Sequence, residues 1–577
     1  MSLNRELASR FKTMGVILQL IGESGFKVNA NIKVADALSE IVEDIASIDD
    51  LTSINGIGKS SAAKIREFIE TGTMSDYDAL IEQIPPGLLE VLKVQGLGPK
   101  TVQRLWKEAN VIDLDSLKEA ISNGRLLKLP RMGQKTIDNI KDSLEFIQSS
   151  SDRTNIGIAM PIADAIVSQL YSLEGVTQCE FAGSLRRGCE TIGDIDILLS
   201  TTQLEVAIEH FCTMPNVTKI LMKGETKCSV RIKEGLQCDL RVIDEDAYGA
   251  ALLYFTGSKA HNVKLRELAI KQGLRLNEYG LFEDTSKDST PPQARGISPT
   301  SSDTEKAIYQ TFDLKWIPPE LREDNGECDN KLPSLIEQCD IQCDLHCHTT
   351  ASDGVMSIEE LAEEGIRRGY HSIAVTDHSQ SQAQANGLSP ERLKKHIAAI
   401  RNANEKYSEI AILAGSEVDI LPDGSLDYED ALLQELDIVV ASPHAALKQN
   451  PKEATDRLIK AIEHPLVNII GHPTGRIIQK RAGLEPNMIQ LFKSAVKHNT
   501  ALELNSHSLR LDLRDWHIRS AIQHGVTIAI NTDAHRPEDF EQLRYGITTA
   551  RRGGLTASLC TNCLNANELH DWLNQKR

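Results

Sequence analysis

The sequence predicts a multidomain protein that combines a helical N-terminal region with a C-terminal α/β barrel. Two patterns carry this prediction. Three glycine-bearing turns recur within residues 1–150, and each is followed by an amphipathic helix. Beyond residue 340, short apolar runs end in histidine or carboxylate residues and alternate with helical segments, as in an α/β barrel. The length of 577 residues suffices for about three to five domains of roughly 150 residues each.

Composition indicates a soluble globular protein. Apolar residues make up 41% of the chain and charged residues 25%, which excludes a disordered or fibrous chain. No apolar run approaches the roughly 18–20 residues of a membrane span, and residues 1–50 lack a signal-peptide pattern. The odd number of cysteines, 11, argues against a disulfide framework. We therefore expect a cytoplasmic protein that does not associate with membranes.

The net charge of −19 argues against binding of nucleic acid through bulk attraction. None of the segments 1–150, 151–330 and 331–577 has an excess of basic residues. Any contact with phosphate must therefore depend on local patches, on backbone N–H groups or on metal ions.

The glycine-bearing turns cover residues 54–59, 94–100 and 129–135. Glycine lets the backbone turn tightly, and the following helix N-terminus presents free N–H groups to a DNA phosphate without reading sequence. The pattern resembles the helix-hairpin-helix motif, although Arg131 and Met132 replace the first glycine of the third turn. The resemblance implies DNA contacts by Gly56, Gly58, Lys59, Gly96, Gly98, Lys100, Gly133 and Lys135.

A cluster of carboxylates is predicted in the middle of the chain. Asp194 and Asp196 lie two residues apart in the apolar, strand-like run 192–199, so both point to one face. Two close carboxylates repel each other unless a cation lies between them, which favours Mg²⁺ or Mn²⁺. Asp239, in a second strand-like run, is the candidate third carboxylate of a two-metal phosphoryl-transfer site.

Together with Gly183-Ser184 and the segments 224–227 (GETK) and 254–258 (YFTGS), this pattern resembles the family X DNA polymerases over about residues 1–327. The resemblance implies that Asp194 and Asp196 bind both metals, and that Asp239 binds the catalytic metal and acts on the primer 3′-hydroxyl. The residues that it implies for nucleotide binding are Gly183, Ser184, Arg187, Gly193, Arg241, Tyr254, Phe255, Gly257 and Asn262. It further implies a small N-terminal helical domain at 1–85, fingers at 86–148, a palm at 149–246 and a thumb at 247–327.

Lys64 is a candidate catalytic residue for a separate lyase reaction. It follows Gly58 at the spacing of the Schiff-base lysine in family members that excise a 5′-deoxyribose phosphate. The neighbouring residues 26–33 are poorer in basic and aromatic side chains than bacterial members of the family usually are there. Lys64 can equally be a solvated helix lysine, so both interpretations stay open.

Histidine is concentrated in the second half, since all of the 16 histidines except His210 and His261 lie beyond residue 330. Histidine or carboxylate clusters end successive apolar runs, at residues 343–348, 352–354, 376–378, 415–417, 442–444, 471–473 and 532–535. A ligand set of histidines and carboxylates that does not require cysteine favours a catalytic, hydrolytic metal site over a structural zinc site. A zinc site built from Cys560 and Cys563 with other cysteines is a weaker alternative.

This series resembles the polymerase and histidinol phosphatase (PHP) domain over residues 340–577, joined to the first half by a linker at 328–339. The resemblance implies that this site holds three ions, Mn²⁺ or Zn²⁺, and that metal-bound hydroxide attacks phosphorus. The implied ligands are His346, His348, Glu417 and Asp533 for the first ion, and Glu417, His444 and a bridging water for the second. Asp353, His378, His535 and His472 are implied to serve the third ion or to share a bridge. Arg476 and Arg510 are candidate phosphate clamps, or else surface salt bridges.

The combined resemblance implies a DNA-directed DNA polymerase that fills short gaps in DNA repair, with Mg²⁺ or Mn²⁺ in its active site. The PHP half would act as a metal-dependent 3′–5′ exonuclease. The expected partners are gapped or primer-template DNA and dNTPs, and the chain is expected to be a monomer. One alternative makes the PHP half a silent structural platform, another makes the chain chiefly a 3′-end nuclease or phosphatase, and a third makes it a transferase acting on RNA.

Overall fold

A computed structural model describes residues 3–40, 45–92, 94, 97–129, 132–134, 137–138, 140–141, 153–233, 235–283, 292–329 and 331–576. The chain forms two compact units, residues 1–152 and 153–577. Within the described residues, no helix is both long enough and apolar enough to cross a membrane. All eleven cysteines are free thiols, as expected from their odd number.

The first unit is helical. Its described helices are α1 (Leu3–Ile21), α2 (Gly25–Glu40), α3 (Lys59–Thr71), α4 (Ser75–Ile81), α5 (Leu88–Val91), α6 (Pro99–Ala109) and α7 (Leu114–Ser122). Helix α6 begins with Pro99, whose fixed φ suits the first helical position, and ends at Asn110 in the left-handed conformation. Two hydrophobic cores lie in this unit, one around Phe11 and Phe68 and the other around Leu88 and Leu105.

The second unit begins with a region that we call the palm, which contains a five-stranded sheet, a separate pair of short strands and three helices. Its elements are β1 (Thr154–Asn155), α8 (Ile156–Tyr171), β2 (Val176–Phe181), α9 (Gly183–Arg186), β3 (Thr191–Ile192), β4 (Asp194–Thr201), α10 (Leu204–Thr213), β5 (Val217–Lys223), β6 (Lys227–Ile232) and β7 (Gln237–Val242). The strand order is β2-β4-β7-β6-β5, in which β4 and β7 are parallel and the other pairs are antiparallel. Helices α8 and α10 pack their apolar faces on this sheet.

A small thumb follows the palm. It contains α11 (Tyr248–Thr256), α12 (Lys259–Lys271), β8 (Leu274–Asn277), β9 (Gly280–Glu283) and α13 (Glu305–Thr311). Its core includes Leu265, Leu281 and Tyr309. Leu332 and Leu335, from the predicted linker, pack against this core, and Ile336 is fully buried in the core of the next domain.

The remainder is a barrel of seven parallel strands in sequential order, β10 to β16. A parallel bridge between Cys347 and Ala534 links the first strand to the end of the last, so the barrel is nearly closed. The strands are β10 (Cys343–Cys347), β11 (Ser372–Val375), β12 (Ala411–Asp419), β13 (Ile438–Ser442), β14 (Ile469–Ile470), β15 (Ala501–Asn505) and β16 (Ile528–Asn531). The predicted C-terminal α/β barrel is therefore confirmed.

Helices cover the outside of the barrel. They are α14 (Ile358–Arg367), α15 (Pro390–Asn404), α16 (Asp430–Leu433), α17 (Pro451–Ile462), α18 (Met488–His498), α19 (Asp515–Gln523), α20 (Leu543–Gly553) and α21 (Ala566–Asn574). Side chains cap several N-termini, as where Ser357 and Glu360 form a capping box on α14. Because the strands are parallel, their carboxyl ends all meet at one face, where the histidine and carboxylate clusters lie.

Candidate active sites

The three palm carboxylates meet at the centre of the sheet. The parallel register of β4 and β7 places Asp196 opposite Asp239, and Asp194 opposite Gln237. Asp239 is buried, and its Oδ1 accepts a hydrogen bond from Gln237 Nε2 at 2.8 Å. The structure thus brings together the three carboxylates that the sequence pattern singles out.

The electrostatics of this cluster fit a divalent cation. Burial, followed by repulsion from Asp194 and Asp239, raises the pKa of Asp196 to about 7. Burial and Asp239 also raise the pKa of Asp194. Carboxylates that repel each other in a buried place are stabilised by a cation between them, and oxygen ligands suit Mg²⁺ or Mn²⁺.

Gly183 approaches these carboxylates through its backbone. It has a φ of +63°, and a Cβ on it would lie 2.6 Å from Asp196 Oδ2. Both the conformation and the space therefore require glycine. Ser184 follows Gly183 in α9, and Gly193 directly precedes Asp194. Both predicted nucleotide-binding positions are therefore next in sequence to a residue of this site.

The basic and aromatic residues predicted for nucleotide binding form a second group nearby. The Arg187 guanidinium donates to Thr256 O and pairs with Glu323 Oε1 at 3.0 Å. The Arg241 guanidinium lies 4.3 Å from the Phe255 ring centre, and that ring meets Tyr254 edge-on at 5.1 Å. The other two members also contact this group, since Asn262 Nδ2 donates to Tyr254 O at 2.7 Å and a Cβ on Gly257 would lie 3.3 Å from Arg187 Nη1.

Two of the predicted hairpin turns present helix N-termini. Gly58 caps α3 and Gly98 caps α6, both in extended conformation and without a side-chain cap. N–H groups in each first turn therefore have no side-chain partner at the cap, although Pro99 itself has no N–H. Gly56 has a φ of +101°. Lys59, Lys100 and Gly133 are exposed. Gly96 and Lys135 lie outside the described residues.

Lys64 lies on α3, with its Nζ 2.9 Å from Asp76 Oδ2. An ion pair of this kind contains the ammonium form, whereas an amine that attacks an aldehyde must be neutral. The geometry therefore gives no support for a Schiff-base role, and that role stays a prediction.

In the barrel, five histidines surround the carboxylate of Glu417. This residue lies on β12 and is fully buried. The nearest nitrogen–oxygen distances are 3.4 Å from His346, 3.7 Å from His348, 2.7 Å from His378, 3.3 Å from His444 and 2.8 Å from His472. The alternation of β10 brings His346 and His348 to the same side, as its sequence predicts.

Two further carboxylates complete the site. Asp533 Oδ1 lies 3.1 Å from His348 Nε2 and 3.6 Å from His346 Nε2. Asp353 Oδ1 lies 3.4 Å from His535 Nε2, and His378 Nε2 is 3.6 Å from the same oxygen. Three groups of ligand atoms are compact enough for one ion each: His346, His348 and Asp533; His378, Glu417 and His444; and His348, Asp353, His378 and His535.

The resemblance left two places for His472, the third ion or a shared bridging position. The structure places it beside Glu417, on the side of His346 and His444, and outside the compact group that contains Asp353, His378 and His535. The physical reason is the barrel topology, because β14 lies three strands away from β11, whose end carries His378.

Unsatisfied polar atoms show that these residues fit metal ions. Both ring nitrogens of His348, Nε2 of His346 and both carboxylate oxygens of Glu417 are buried without a hydrogen bond. Burial of such atoms is costly unless a ligand satisfies them. Burial and the neighbouring histidines lower the pKa of His348 to about 4, so its ring is neutral and can donate electron pairs.

Hydrogen bonds behind the ligands orient them, and sequence reasoning missed the residues responsible. Glu503 Oε1 lies 2.7 Å from His346 Nδ1, which leaves His346 Nε2 to face the site. Asp419 lies 3.0 Å from His444 Nδ1 in the same way, and Asn505 Nδ2 donates to Asp533 at 2.9 Å. Glu503 and Asn505 lie on β15, whose apolar run ALELN was the available signal.

The two candidate phosphate clamps have different environments. Arg510 Nε lies 3.7 Å from Asp533 Oδ2, at the edge of the ligand set. Arg476 is only 1% exposed and pairs through both terminal nitrogens with Glu190 of the palm, so its prediction as a phosphate clamp is wrong. Its sequence position after a glycine turn did not reveal that a partner lies in another domain.

Two other sets of residues could be considered as metal ligands. Cys560 and Cys563 do not belong to any candidate ligand group among the described residues, which disfavours the alternative zinc site. His261, Glu327 and Cys328 lie close together in the thumb. Both ring nitrogens of His261 are engaged at 2.7 Å, with Glu327 and with the Tyr309 hydroxyl, which accounts for its burial.

Family models match most of the chain. They describe a helix-hairpin-helix domain at residues 2–74, a SAM-like helix-hairpin-helix tandem at 88–145, a DNA polymerase beta palm at 159–246, a DNA polymerase beta thumb at 251–323 and a PHP domain at 344–507. These assignments agree with the helical first unit, the palm sheet, the thumb and the barrel.

Some similar proteins align with the whole chain, and others align with one part of it. The DNA polymerase/3′-5′ exonuclease PolX of Bacillus subtilis (strain 168) is 39% identical over 572 residues, which cover 98% of each chain. A probable phosphatase of Thermoanaerobacter sp. (strain X514) is 27% identical over 245 residues, 41% of this chain and 95% of that protein. DNA polymerase lambda of Arabidopsis thaliana is 24% identical over 346 residues, 56% of this chain and 62% of that protein. The chain therefore belongs to the family X DNA polymerases that carry a C-terminal PHP domain.

Proposed function

We propose that this protein is a DNA-directed DNA polymerase that fills short gaps, and that its PHP domain is a 3′–5′ exonuclease. The observation that carries the proposal is the presence of two separate and complete donor sets in one compact unit. One is the Asp194, Asp196 and Asp239 cluster of the palm, and the other is the histidine ring around Glu417. The Bacillus relative, similar over nearly its whole length, bears both activities in its name.

In the proposed polymerase reaction, the primer 3′-oxygen attacks the α-phosphorus of a dNTP and pyrophosphate leaves. The palm carboxylates would hold divalent ions, and Gly183 would let the triphosphate approach them. Arg187 and Arg241 would neutralise phosphate charge, while Tyr254 and Phe255 would contact the sugar and base. Arg187 is paired with Glu323, so we expect nucleotide binding to exchange this partner for a phosphate.

In the proposed exonuclease reaction, water attacks the phosphorus of the last phosphodiester and the terminal nucleotide leaves. The histidines and carboxylates around Glu417, Asp353 and Asp533 would hold the ions and orient the phosphate. At either site, bound divalent ions would stabilise the attacking and leaving oxygens of the displacement. We propose Mg²⁺ or Mn²⁺ for the palm, and Mn²⁺ or Zn²⁺ for the three groups of the PHP site.

The substrate that suits this chain is gapped or primer-template DNA. The helix N-termini after Gly58 and Gly98 can bind backbone phosphates through N–H groups, independent of sequence. The net charge of −19 disfavours tight binding to bulk duplex, so local contacts near a gap account better for recognition. We propose that the protein acts as a monomer in cytoplasmic base-excision repair.

A second candidate activity is removal of 3′-terminal phosphates. A protein named a probable phosphatase aligns with the PHP half over 95% of its own length. Hydrolysis of a phosphomonoester needs the same ligands and the same attack on phosphorus. Such an activity would prepare blocked 3′ ends for the polymerase.

The test is an assay with a 5′-labelled primer on a gapped duplex in Mn²⁺, with and without dNTPs. We expect lengthening with dNTPs and shortening without them. Lengthening alone would leave the PHP half as a structural platform, whereas shortening alone would leave a nuclease whose palm merely binds DNA. A primer with a 3′-phosphate, followed for release of inorganic phosphate, measures the second candidate activity.

Lyase activity at Lys64 is tested separately. Borohydride traps a Schiff base between an amine and a 5′-deoxyribose phosphate as a stable adduct. A role for Lys64 predicts an adduct that the Lys64→Ala variant loses. If trapping is absent or survives the substitution, Lys64 is the partner of Asp76 and has no catalytic role.

A further inference from the structure

Residues 507–513, which we call the bridging segment, connect the PHP ligand set to the palm. The segment follows β15 and carries Arg510, whose Nε lies 3.7 Å from Asp533 Oδ2. The Arg510 side chain is 23% exposed, so it can reach a substrate as well as the ligand set. A guanidinium at this position suits a DNA phosphate next to the hydrolytic site.

The palm contacts the segment on both sides of Arg510. Before it, the buried Asn155 Nδ2 donates to Ser508 O at 2.7 Å. After it, Leu511 packs into the hydrophobic core of the palm. The contact at Ser508 is also close to the first turn of α8, because a Cβ on Gly157 would overlap Ser508 Oγ and come within 2.6 Å of Ser508 Cβ.

A buried ion pair strengthens this connection. Arg476 donates to Leu511 O and pairs with Glu190 of the palm at 3.1 and 2.6 Å. A fully buried guanidinium that loses its carboxylate partner is strongly destabilised. The conformation of the segment at Leu511 therefore depends on a palm carboxylate.

The barrel holds the end of the segment. Asn505 N donates to Asp512 O at 2.6 Å, and Asp512 Oδ2 accepts a hydrogen bond from Thr474 N at 3.0 Å. These contacts fix the position of Asp512 but do not involve Arg510. On either side of Arg510 the palm contacts Ser508 O and Leu511. The barrel shares this part of the segment, since Leu509 O accepts from Ile478 N at 2.7 Å and Ser508 N donates to Gln542 Oε1 at 3.1 Å.

We propose that the palm positions Arg510 for 3′-end hydrolysis, so that Gly157, Asn155 and Glu190 are positioning residues of the nuclease. Arg510 itself would bind the phosphate of the substrate. The inference rests on the proposed exonuclease function of the PHP domain. It gives a physical reason why one compact unit contains both domains, because palm residues hold the segment that carries Arg510.

The most direct test is Gly157→Ala, which adds a methyl group at the contact between α8 and Ser508. Alanine is favoured over glycine within a helix, so Gly157→Ala leaves α8 sound and displaces Ser508. We expect exonuclease activity to fall about tenfold or more, since small misplacements of a binding group have effects of this size. Gap filling should stay within about twofold of the wild type. Ile158→Ala, at an exposed neighbouring position, is the control and should change neither activity.

A compensating change separates displacement from general damage. Ser508→Gly removes the two atoms that the new methyl group would overlap and leaves only Asn155 Oδ1, at 3.0 Å. The Gly157→Ala, Ser508→Gly variant should therefore regain exonuclease activity. Hydrogen–deuterium exchange of the peptide covering 507–513 gives a readout that needs no catalysis. Exchange should speed up in Gly157→Ala and return toward the wild-type rate in the double variant.

Arg510→Ala completes the experiment. It should lower exonuclease activity alone, and it should cause little further loss in the Gly157→Ala background, because both changes remove the same interaction. Full exonuclease activity in Arg510→Ala or in Gly157→Ala, or a loss that Ser508→Gly does not reverse, would overturn the inference while the exonuclease function stands. A wild-type protein without exonuclease activity would instead overturn the proposed function, and the inference with it.

Discussion

At the scale of single residues, each site depends on a position that contributes no ligand. Gly183 lets the backbone approach Asp196, and Glu503 fixes which nitrogen of His346 faces the PHP site. Neither residue needs to touch a substrate for its replacement to be harmful. Both therefore offer substitutions that affect one activity and spare the other.

Gly183→Ala should strongly reduce gap filling and leave the exonuclease intact. The added Cβ would lie 2.6 Å from Asp196 Oδ2, and the φ of +63° is unfavourable for alanine. The displaced carboxylate should lower primer extension by about 100-fold. Extension and shortening of the same labelled primer measure both effects. Gly25→Ala, where a Cβ meets nothing within 4 Å, is the control, and normal extension by Gly183→Ala would contradict the assignment.

Glu503→Gln should weaken metal binding by the PHP site. Glu503 accepts from His346 Nδ1 and from Asn531 Nδ2 with one oxygen, and from His472 N with the other. An amide can donate where the carboxylate accepts, so the orientation of His346 is lost. Partners of this kind typically contribute about 10- to 100-fold in metal affinity. Titration with Mn²⁺ followed by calorimetry measures this, and an unchanged affinity would show that His346 needs no such partner.

At the scale of elements, the strands position the metal-ligand candidates of both sites. A buried cluster of charged side chains joins the palm to the thumb. Glu305, at the start of α13, pairs with Arg186 of α9 and with Arg322. Arg186 also donates to Thr256, which precedes Gly257 of the nucleotide-binding group. The orientation of α13 is thereby linked to the wall of the polymerase site.

Glu305→Gln should remove a pH-dependent part of stability. Burial opposes ionisation of Glu305, but Arg322 and Arg186 outweigh it and lower its pKa from 4.5 to about 2. The ionised group therefore stabilises the folded state fully above about pH 4.5, and this contribution is lost as pH falls toward 2. It amounts to about 3 kcal/mol.

Urea unfolding at several pH values measures this contribution. The wild type should be more stable than Glu305→Gln at pH 6, and the difference should shrink as pH falls below about 4.5. The exposed Glu205→Gln is the control and should follow the wild type at every pH. A difference between wild type and Glu305→Gln that does not change with pH would contradict the pairing.

At the scale of the whole molecule, the features that could be predicted from the sequence are those that depend on local patterns. Alternation in 343–348 correctly places His346 and His348 on one side, and the Asp194-x-Asp196 spacing correctly places two carboxylates on one face. The barrel follows from the repeated order of apolar run, ligand and helix. Each of these depends on a period or a spacing that a few consecutive residues contain.

Partners that are distant in sequence could not be predicted in this way. Strand β15 was not among the predicted apolar runs because the charged Glu503 interrupts it, although this glutamate supports His346. Arg476 resembles a phosphate clamp until its partner Glu190, 286 residues away, is known. The number of strands, seven, depends on how the barrel closes, and no single segment encodes that.

The central claim is that one chain contains two active sites with separate catalytic groups, and a crossed pair of substitutions tests it most directly. Asp196→Ala and His346→Ala should be assayed with a 5′-labelled primer on a gapped duplex, with and without dNTPs. We predict that Asp196→Ala loses extension and retains 3′ shortening, and that His346→Ala loses shortening and retains extension. Loss of both activities from either substitution in a folded protein would contradict the claim.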